Sequence, residues 1–468
     1  MKDLTRGSIF GHVLTMALPL ALGIFTQTAY QLVDLYFITK VGVAATAGVT
    51  AASATSFVVI ALTQVLAVGT MVLIAHAAGR QDRNDANLVF NQALSLAATC
   101  ATVVVALLFA VIKSYMFAVT RDAATIDAGV AFIRWMLPGF WLMFPLTVLT
   151  AALRGSGIVQ PTTVISVLSV VINIGLAPVL IAGWGTGQPL GVRGAGLASS
   201  LSIFLATVMM GLYFGYIERF VSFAVASMRP HLEQWKRLLV IGLPAGGELL
   251  ILALWGAVMY YATRNLGASA QAGVGIGARV MQAILLPAMA IAFTAGPIAG
   301  QNFGARNAAR VKETFRQVAL CGAVVMIVAT LVAQYEPHLL VKMFSSDAAA
   351  LHASAVFVQI ASWSFVAEGV VLTCGGLFQA LGNTVPALIS SCLRLLAFAL
   401  PALWLSTLPQ FNIASLFYWS VAAVVLQAMI CLWLLNREFG KRLSFATAQV
   451  AVPGEALPQT AETRAGAG

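Results

Sequence analysis

The segment ALPLALG at residues 17–23 has a counterpart, GLPAGGE, at residues 242–248. Each segment places a proline five or six residues inside a long apolar run, and Pro19 and Pro244 lie 225 residues apart (244 − 19 = 225). An offset of this kind indicates an internal repeat when other pairs of segments follow it.

The offset of 225 residues continues without a gap. KVGVAATAGV (40–49) corresponds to NLGASAQAGV (265–274), and Gly79 corresponds to Gly304. One register held over this length predicts a duplicated unit. Each copy has room for six helices. Because six is even, the second copy enters the membrane from the same face, and the two copies are parallel.

The composition predicts an all-α polytopic membrane protein with twelve transmembrane helices in two parallel six-helix lobes around a central cleft. The 468 residues are 60% hydrophobic and 9% charged, with a mean hydropathy of +0.92. A soluble domain carries roughly 25% charged residues. The apolar runs are also too long and continuous for β-barrel strands. The predicted helices are 13–39, 45–78, 87–113, 129–153, 161–183, 191–216, 238–264, 268–300, 313–335, 355–381, 385–405 and 411–436.

Lysines and arginines concentrate on the membrane face that this topology gives to both termini, as in RQDR (80–83) and ARNAAR (305–310). By the positive-inside rule, both termini are cytoplasmic. The net charge of +10 is therefore a topology signal and not a sign of a nucleic-acid partner. We expect a monomeric, multi-pass protein of the bacterial inner membrane.

The predicted organisation has four parts. An N-terminal lobe covers residues 1–216, a basic, partly amphipathic linker at the cytoplasmic interface covers 217–237, and a C-terminal lobe covers 238–442. Residues 443–468 are rich in Ala, Gly, Pro, Thr and Gln, which is typical of a disordered tail. The first apolar run is too long for a cleavable signal peptide, so we interpret it as a retained helix.

Three acidic residues fall well inside predicted helices, namely Asp34, Glu248 and Glu368. A charge at membrane depth costs about 2.5–3.5 kcal/mol on insertion scales. Such a residue normally faces a cavity, a partner or a polar pathway, so all three are candidate sites for a coupling ion, H⁺ or Na⁺.

Asp34 belongs to a polar stripe in QTAYQLVDLYFI (27–38). Gln27, Tyr30, Gln31 and Asp34 are spaced by three or four residues and therefore share one helix face. Burial disfavours a carboxylate and a nearby cation favours it, which is the physical basis for exchanging a proton against a cation. The structural alternative is an acid neutralised by an internal hydrogen bond.

Glu248 follows Pro244 by one helical turn, and the proline frees a backbone carbonyl. A carboxylate beside a free carbonyl is a candidate Na⁺ site, which Glu368 can approach from the tenth helix. In the repeat register the partner of Asp34 is Met259, and that of Glu248 is Gly23. The two lobes therefore carry different acids and are expected to do different work.

Other intramembrane polar residues allow both a structural and a functional interpretation. Asn173 can hydrogen-bond a neighbouring helix or face the cavity of the first lobe. Arg279 and Arg394 are placed near helix ends, where they can snorkel, pair with carbonyls or contact a ligand. The five cysteines form no CxxC pair and are interpreted as packing residues. The chain contains no GxxxxGK[ST] motif, and no cofactor is expected.

These features together resemble one family. The stretches that carry the likeness are LVDLYFI (32–38), GVRGAGLASS (191–200), GLPAGGE, GIGARVMQAILLPAMAIAFTAGPIAGQNFGAR (275–306) and FQALGNTVPALI (378–389). From about residue 8 to 440, the chain resembles the multidrug and toxic compound extrusion (MATE) transporters. The stretch ending GQNFGAR is the most specific of these.

The resemblance implies a cation-coupled antiporter that exports cationic or amphipathic compounds by alternating access. It implicates Asp34 in proton or cation coupling, and Glu248 and Glu368 in cation binding by the C-terminal lobe. Asn173 matches an asparagine of the N-terminal site. Ala177 departs from one branch, which has an aspartate there. The coupling ion, H⁺ or Na⁺, stays open.

Three alternatives remain at this point. A flippase for lipid-linked precursors, from the same broader superfamily, needs cations for a pyrophosphate, whereas the buried charges here include three acids. A membrane enzyme such as a prenyl transferase needs clustered acids for Mg²⁺. The acids of RQDRND (80–85) have basic neighbours and predict a loop, so we do not expect an enzyme. A channel leaves the paired lobes unexplained.

Overall fold

The computed structural model describes residues 1–185, 187–264, 268–342, 348–407 and 412–445. Within these ranges the side chains of 30–32, 35, 268–270 and 348–350 lie outside the description. The predicted disordered tail lies outside the described residues from position 446 onward. The described part of the chain contains twelve helices long and apolar enough to cross a membrane, and the predicted all-α architecture is confirmed.

The first lobe contains six continuous helices, most of which extend one or two turns beyond the predicted apolar runs. Serine or aspartate side chains cap three of them, and Asp122, for example, accepts a hydrogen bond from the amide of Thr125 at 2.9 Å. The hydrogen bonds from Thr125 hold the pKa of the Asp122 carboxyl below its usual range. The helices are α1 (Ile9–Val41), α2 (Val43–Gly79), α3 (Arg83–Val119), α4 (Ala123–Gly155), α5 (Gln160–Ile181) and α6 (Val192–Tyr216).

The second lobe repeats this order with two interrupted spans. Its helices are α7 (Leu232–Ala262), α8 (Ala268–Ala292), α9 (Ala295–Gly304), α10 (Ala308–Tyr335), α11 (Pro337–Val341), α12 (Ala348–Ala361), α13 (Phe365–Ala380), α14 (Val385–Leu405) and α15 (Ile413–Arg442). The predicted helix 268–300 is α8 followed by α9, and the predicted helix 355–381 is α12 and α13 joined by a 3₁₀ turn at Ser362–Ser364.

The break between α8 and α9 has a local cause. Pro297 lies four residues after Phe293, and a proline ring clashes with the carbonyl four residues earlier while offering it no N–H. In the repeat register, Pro297 corresponds to Val72, and α2 runs unbroken through that position. A single proline thus explains why one copy of this helix is continuous and the other is not.

Side-chain packing carries the repeat to the last helix of each lobe. Phe90 packs against Phe214 with ring centroids 5.0 Å apart, and Phe315 packs against Phe439 with centroids 6.3 Å apart. Both members of the second pair lie 225 residues after their counterparts. The same register therefore holds from the first helix of each copy to the sixth.

The two lobes meet closely where α2 crosses α9. A Cβ atom on Gly79 would overlap the carbonyl oxygen of Gln301, and one on Gly304 would overlap the carbonyl oxygen of His76. The two contacts exchange when the lobes are exchanged, since 76 and 301, like 79 and 304, are register partners. The backbones therefore approach as closely as they do because both positions are glycine.

Two hydrogen bonds of the same symmetry cross this interface. The ring Nε2 of His76 donates to the carbonyl of Ala380 at 2.6 Å, and the amide of Gln301 donates to the carbonyl of Gly155 at 3.1 Å. Both acceptors end helices on the opposite lobe. The lobes are therefore held together on the face that carries the loops after α2 and α9.

The segment before α1 fills the same interface. Leu4 is fully buried, its amide donates to Gln301 Oε1 at 3.0 Å, and its carbonyl accepts from Asn302 Nδ2 at 3.2 Å. The amide of Lys2 donates to the carbonyl of Ser156 at 2.9 Å. One short segment thus contacts both lobes.

The predicted linker runs along the start of α3. The amide of Gln92 donates to the carbonyls of Ser227 and Arg229 at 2.6 and 2.7 Å. A 3₁₀ turn occupies Val225–Met228, and α7 begins at Leu232, earlier than the predicted start of the second lobe at 238.

We expect Gly304→Ala to destabilise the closed interface by about 1–3 kcal/mol, because overpacking forces two backbones apart. Gly79→Ala should cost a similar amount. Gly256→Ala is the matched control, since a Cβ there has no atom within 4 Å. The measurement is the melting temperature of the purified protein in detergent, and equal values for Gly304→Ala and Gly256→Ala would contradict the interpretation.

Candidate functional site

A cavity of about 680 Å³ lies within the first lobe, between α1, α2, α4, α5 and α6. It brings together three of the side chains selected from the sequence: Gln27 and Asp34 on α1 and Asn173 on α5. The side chains of Tyr30 and Gln31, which were assigned to the same stripe, lie outside the described residues. The polar stripe of α1 therefore faces a cavity, at least at the two positions whose side chains are described.

Asp34 is the one acidic residue among the described residues that line this cavity, and no Lys, Arg or His lines it beside Asp34. Its Oδ1 is buried and accepts no hydrogen bond from the described residues. The internal hydrogen bond that would neutralise this oxygen is thus absent from the described part of the chain.

Asn173 is 1% exposed, and both its Oδ1 and its Nδ2 are buried without a hydrogen-bond partner among the described residues. Ala177, one turn further along α5, is fully buried and adds no polar group. Nearly all buried polar atoms in native proteins are paired with protein, water or a ligand. Because the surrounding helices supply no partner, the amide of Asn173 is available to whatever enters the cavity.

The rest of the wall combines flexible apolar side chains with hydroxyl groups, a lining that suits ligands of varied shape. Sequence reasoning did not select these residues, although Ser166, Ser169 and Asn173 recur along one face of α5 and could have been found in that way. The larger apolar members are Phe57, Phe132, Phe140, Met136, Met143 and Met210, and the other hydroxyl-bearing members include Thr50, Ser53, Ser56 and Ser202.

The acids of the second lobe have a different environment. Glu368 on α13 forms an ion pair with Arg394 on α14, with 2.8 Å between Oε1 and Nη2. Arg394 lies in the middle of its helix, so the expectation that it lies near a helix end was wrong. It also pairs with a carboxylate and does not snorkel.

Glu248 on α7 is half-buried and lines a void of about 60 Å³ together with Trp255, Ser391, Arg394 and Gln427. It forms no ion pair with the described residues. The structure therefore places Glu248 and Glu368 on either side of one arginine, and places Asp34 in the other lobe.

The MatE family model matches two segments, residues 19–179 and 244–405. The chain belongs to the MatE family. The matched segments begin at Pro19 and Pro244, the two prolines that define the repeat. The family assignment confirms the resemblance to MATE transporters, and the chain is a multi-pass membrane transporter and not an enzyme.

Individual relatives are distant but extend over most of the chain. The FAD transporter of Shewanella oneidensis is 24% identical over 409 residues, which is 86% of this chain and 89% of that protein. The multidrug export protein MepA of Staphylococcus haemolyticus is 25% identical over 381 residues, 81% of this chain and 83% of that protein. A MOP superfamily transporter from Pyrococcus furiosus has the same fold, with a TM-score of 0.86 and 19% identity over 94% of this chain and 98% of that chain.

We expect Asn173→Leu to stabilise the protein by up to about 1–3 kcal/mol, because it removes buried polar atoms that have no partner. The same change should lower substrate binding. Asn91→Leu is the control. Asn91 is fully buried, but its amide donates to the carbonyl of Ser222 at 3.0 Å and accepts from the amide of Ala224 at 2.9 Å.

The melting temperatures in detergent should therefore move in opposite directions, upward for Asn173→Leu and downward for Asn91→Leu. A fall for both variants would show that Asn173 has a structural partner.

Proposed function

We propose that this protein exports cationic, amphipathic small molecules across the bacterial inner membrane in exchange for protons, and that cargo and proton share Asp34 in the cavity of the first lobe. The observation that carries the proposal is the isolation of this carboxyl group. It is the one charged group among the described cavity-lining residues, and one of its oxygens is buried and unpaired.

The cavity volume of about 680 Å³ falls within the usual range for drug-sized ligands, about 300–1,000 Å³. The charge of the lining favours a cation. An anionic dinucleotide such as FAD, the cargo named for one relative, would meet an acid and no basic group among the described lining residues. A lipid pyrophosphate would meet the same difficulty, because phosphates are recognised by Arg or Lys. The export of drugs named for MepA fits the lining better.

Competition at Asp34 supplies the coupling. Burial disfavours an unpaired carboxylate, so a proton is favoured when no cation is present, while a bound cation favours the carboxylate. Two ligands that exclude each other from one group, and that favour different states of the lobes, exchange across the membrane. The driving energy is about 2.3 kcal/mol per charge for each 100 mV and about 1.4 kcal/mol for each pH unit.

We further propose that both termini are cytoplasmic, because the face that carries the termini is rich in arginine, including Arg80, Arg83, Arg306 and Arg310. The lobe boundaries at 216 and 238, the interfacial linker between them and a monomeric state belong to the same proposal. In this arrangement the contacts of His76 and Gln301 close the cytoplasmic side. They must separate when the lobes rock to admit cargo.

The test is dye movement in liposomes that contain wild type or Asp34→Asn. Under an imposed pH gradient, wild type should move a cationic dye, and Asp34→Asn should lose at least about tenfold of the rate, since the substitution removes the shared charge. Asp122→Asn is the control, because asparagine keeps the helix cap and Asp122 lies outside the cavity.

Export by Asp34→Asn at the wild-type rate would refute the coupling role of Asp34. If wild type moves no dye in a pH or a Na⁺ gradient, the exporter proposal fails, and translocation of lipid-linked precursors becomes the next measurement.

A further inference from the structure

The void beside Glu248 is the second lobe's copy of the cargo cavity. Residues that line the cavity and residues that line the void are related by the same offset of 225. Three such pairs are Ser166 and Ser391, Ser169 and Arg394, and Ser202 and Gln427. The cavity has a volume of about 680 Å³ and the void about 60 Å³. One scaffold is therefore open in the first lobe and filled in the second.

Arg394 accounts for much of the filling. Where the first lobe has the small hydroxyl of Ser169, the second has a guanidinium that reaches Glu368 at 2.8 Å and the Oε1 of Gln427 at 3.1 Å. The guanidinium carbon also lies 5.8 Å from the ring centroid of Trp255. The amide of Gln427 is held in turn by the hydroxyl of Ser391 at 3.2 Å.

The family resemblance implies a Na⁺ ion held by Glu248 and Glu368, and the residues present do not fit one. A cation of this type needs several oxygen ligands directed at it. The nearest candidates, Glu368 Oε1 and Gln427 Oε1, already accept from Arg394. Arg394 also supplies a fixed positive charge that repels a second cation. The remaining space is equivalent to about two water molecules, since each occupies about 30 Å³.

We propose that Arg394 is a built-in cation that fills the C-terminal copy of the cavity and makes this lobe independent of Na⁺. The inference rests on the proposed function and deepens it, because it assigns ion selectivity to one residue. Arginine suits this position since its charge is permanent and its planar fork can contact Glu368 and Gln427 together. The exchange of ions is then left to the first lobe.

The proposal is tested by equilibrium dialysis of purified full-length protein with ²²Na⁺, a readout that needs no transport. Wild type should bind no Na⁺. Arg394→Ser, which copies the register partner Ser169, should bind one Na⁺ per chain. Its melting temperature should be higher in NaCl than in choline chloride. The double variant Arg394→Ser with Glu368→Gln should lose both effects.

Arg394→Lys keeps the positive charge and should, like wild type, bind no Na⁺. This variant and the wild-type measurement keep the proposal testable if Arg394→Ser does not fold. Saturable Na⁺ binding by wild type that Glu368→Gln abolishes would overturn the inference, and so would a folded Arg394→Ser that binds none. Either result leaves the test of Asp34 in liposomes unaffected, so the two proposals can fail separately.

Discussion

The contact between the backbones of α2 and α9 at Gly79 and Gly304 sets the arrangement of the two lobes. Because any side chain at either position would overlap a carbonyl of the opposite helix, the helices cross as closely as backbones can. The hydrogen bonds of His76 and Gln301 form only at that separation. A duplicated unit supplies both halves of this contact, so one local solution serves twice.

Much of the fold follows from the sequence because its strongest signals are periodic. Twelve apolar runs predict twelve spanning helices, and the offset between Pro19 and Pro244 predicts two copies of a six-helix unit. The grouping of Gln27 and Asp34 on one face of α1 followed from helical spacing alone. Asn173 was assigned to the same site by family resemblance. The side chains themselves are grouped in one cavity by the structure.

Other features depend on tertiary contacts that no local pattern records. The ion pair of Arg394 joins α13 to α14, and the sequence alone shows only an arginine and a glutamate 26 positions apart (394 − 368 = 26). The interruption of the eighth span was within reach, since Pro297 stands where the first copy has Val72. The cavity wall was not, because serines, methionines and phenylalanines in a membrane helix are most often packing residues.

The lobes have diverged around a shared scaffold. In the first lobe, small hydroxyl side chains leave space and a single carboxyl group faces it. In the second, large and charged side chains occupy the equivalent space and satisfy one another. A buried ion pair of this kind adds little net stability, but removing one partner costs about 3–5 kcal/mol, so it resists change once formed. The second lobe is thereby suited to act as a rigid partner for the first.

The segment that contains Leu4 has a consequence for how the chain is made. Leu4 leaves the ribosome before any helix exists, yet its partner Gln301 lies 297 residues later. Its buried position is assembled from both lobes, so the segment has no place to dock until α9 is in the membrane. The earliest part of the chain is therefore among the last to reach its native contacts, and the two lobes must come together before the start of the protein can fold.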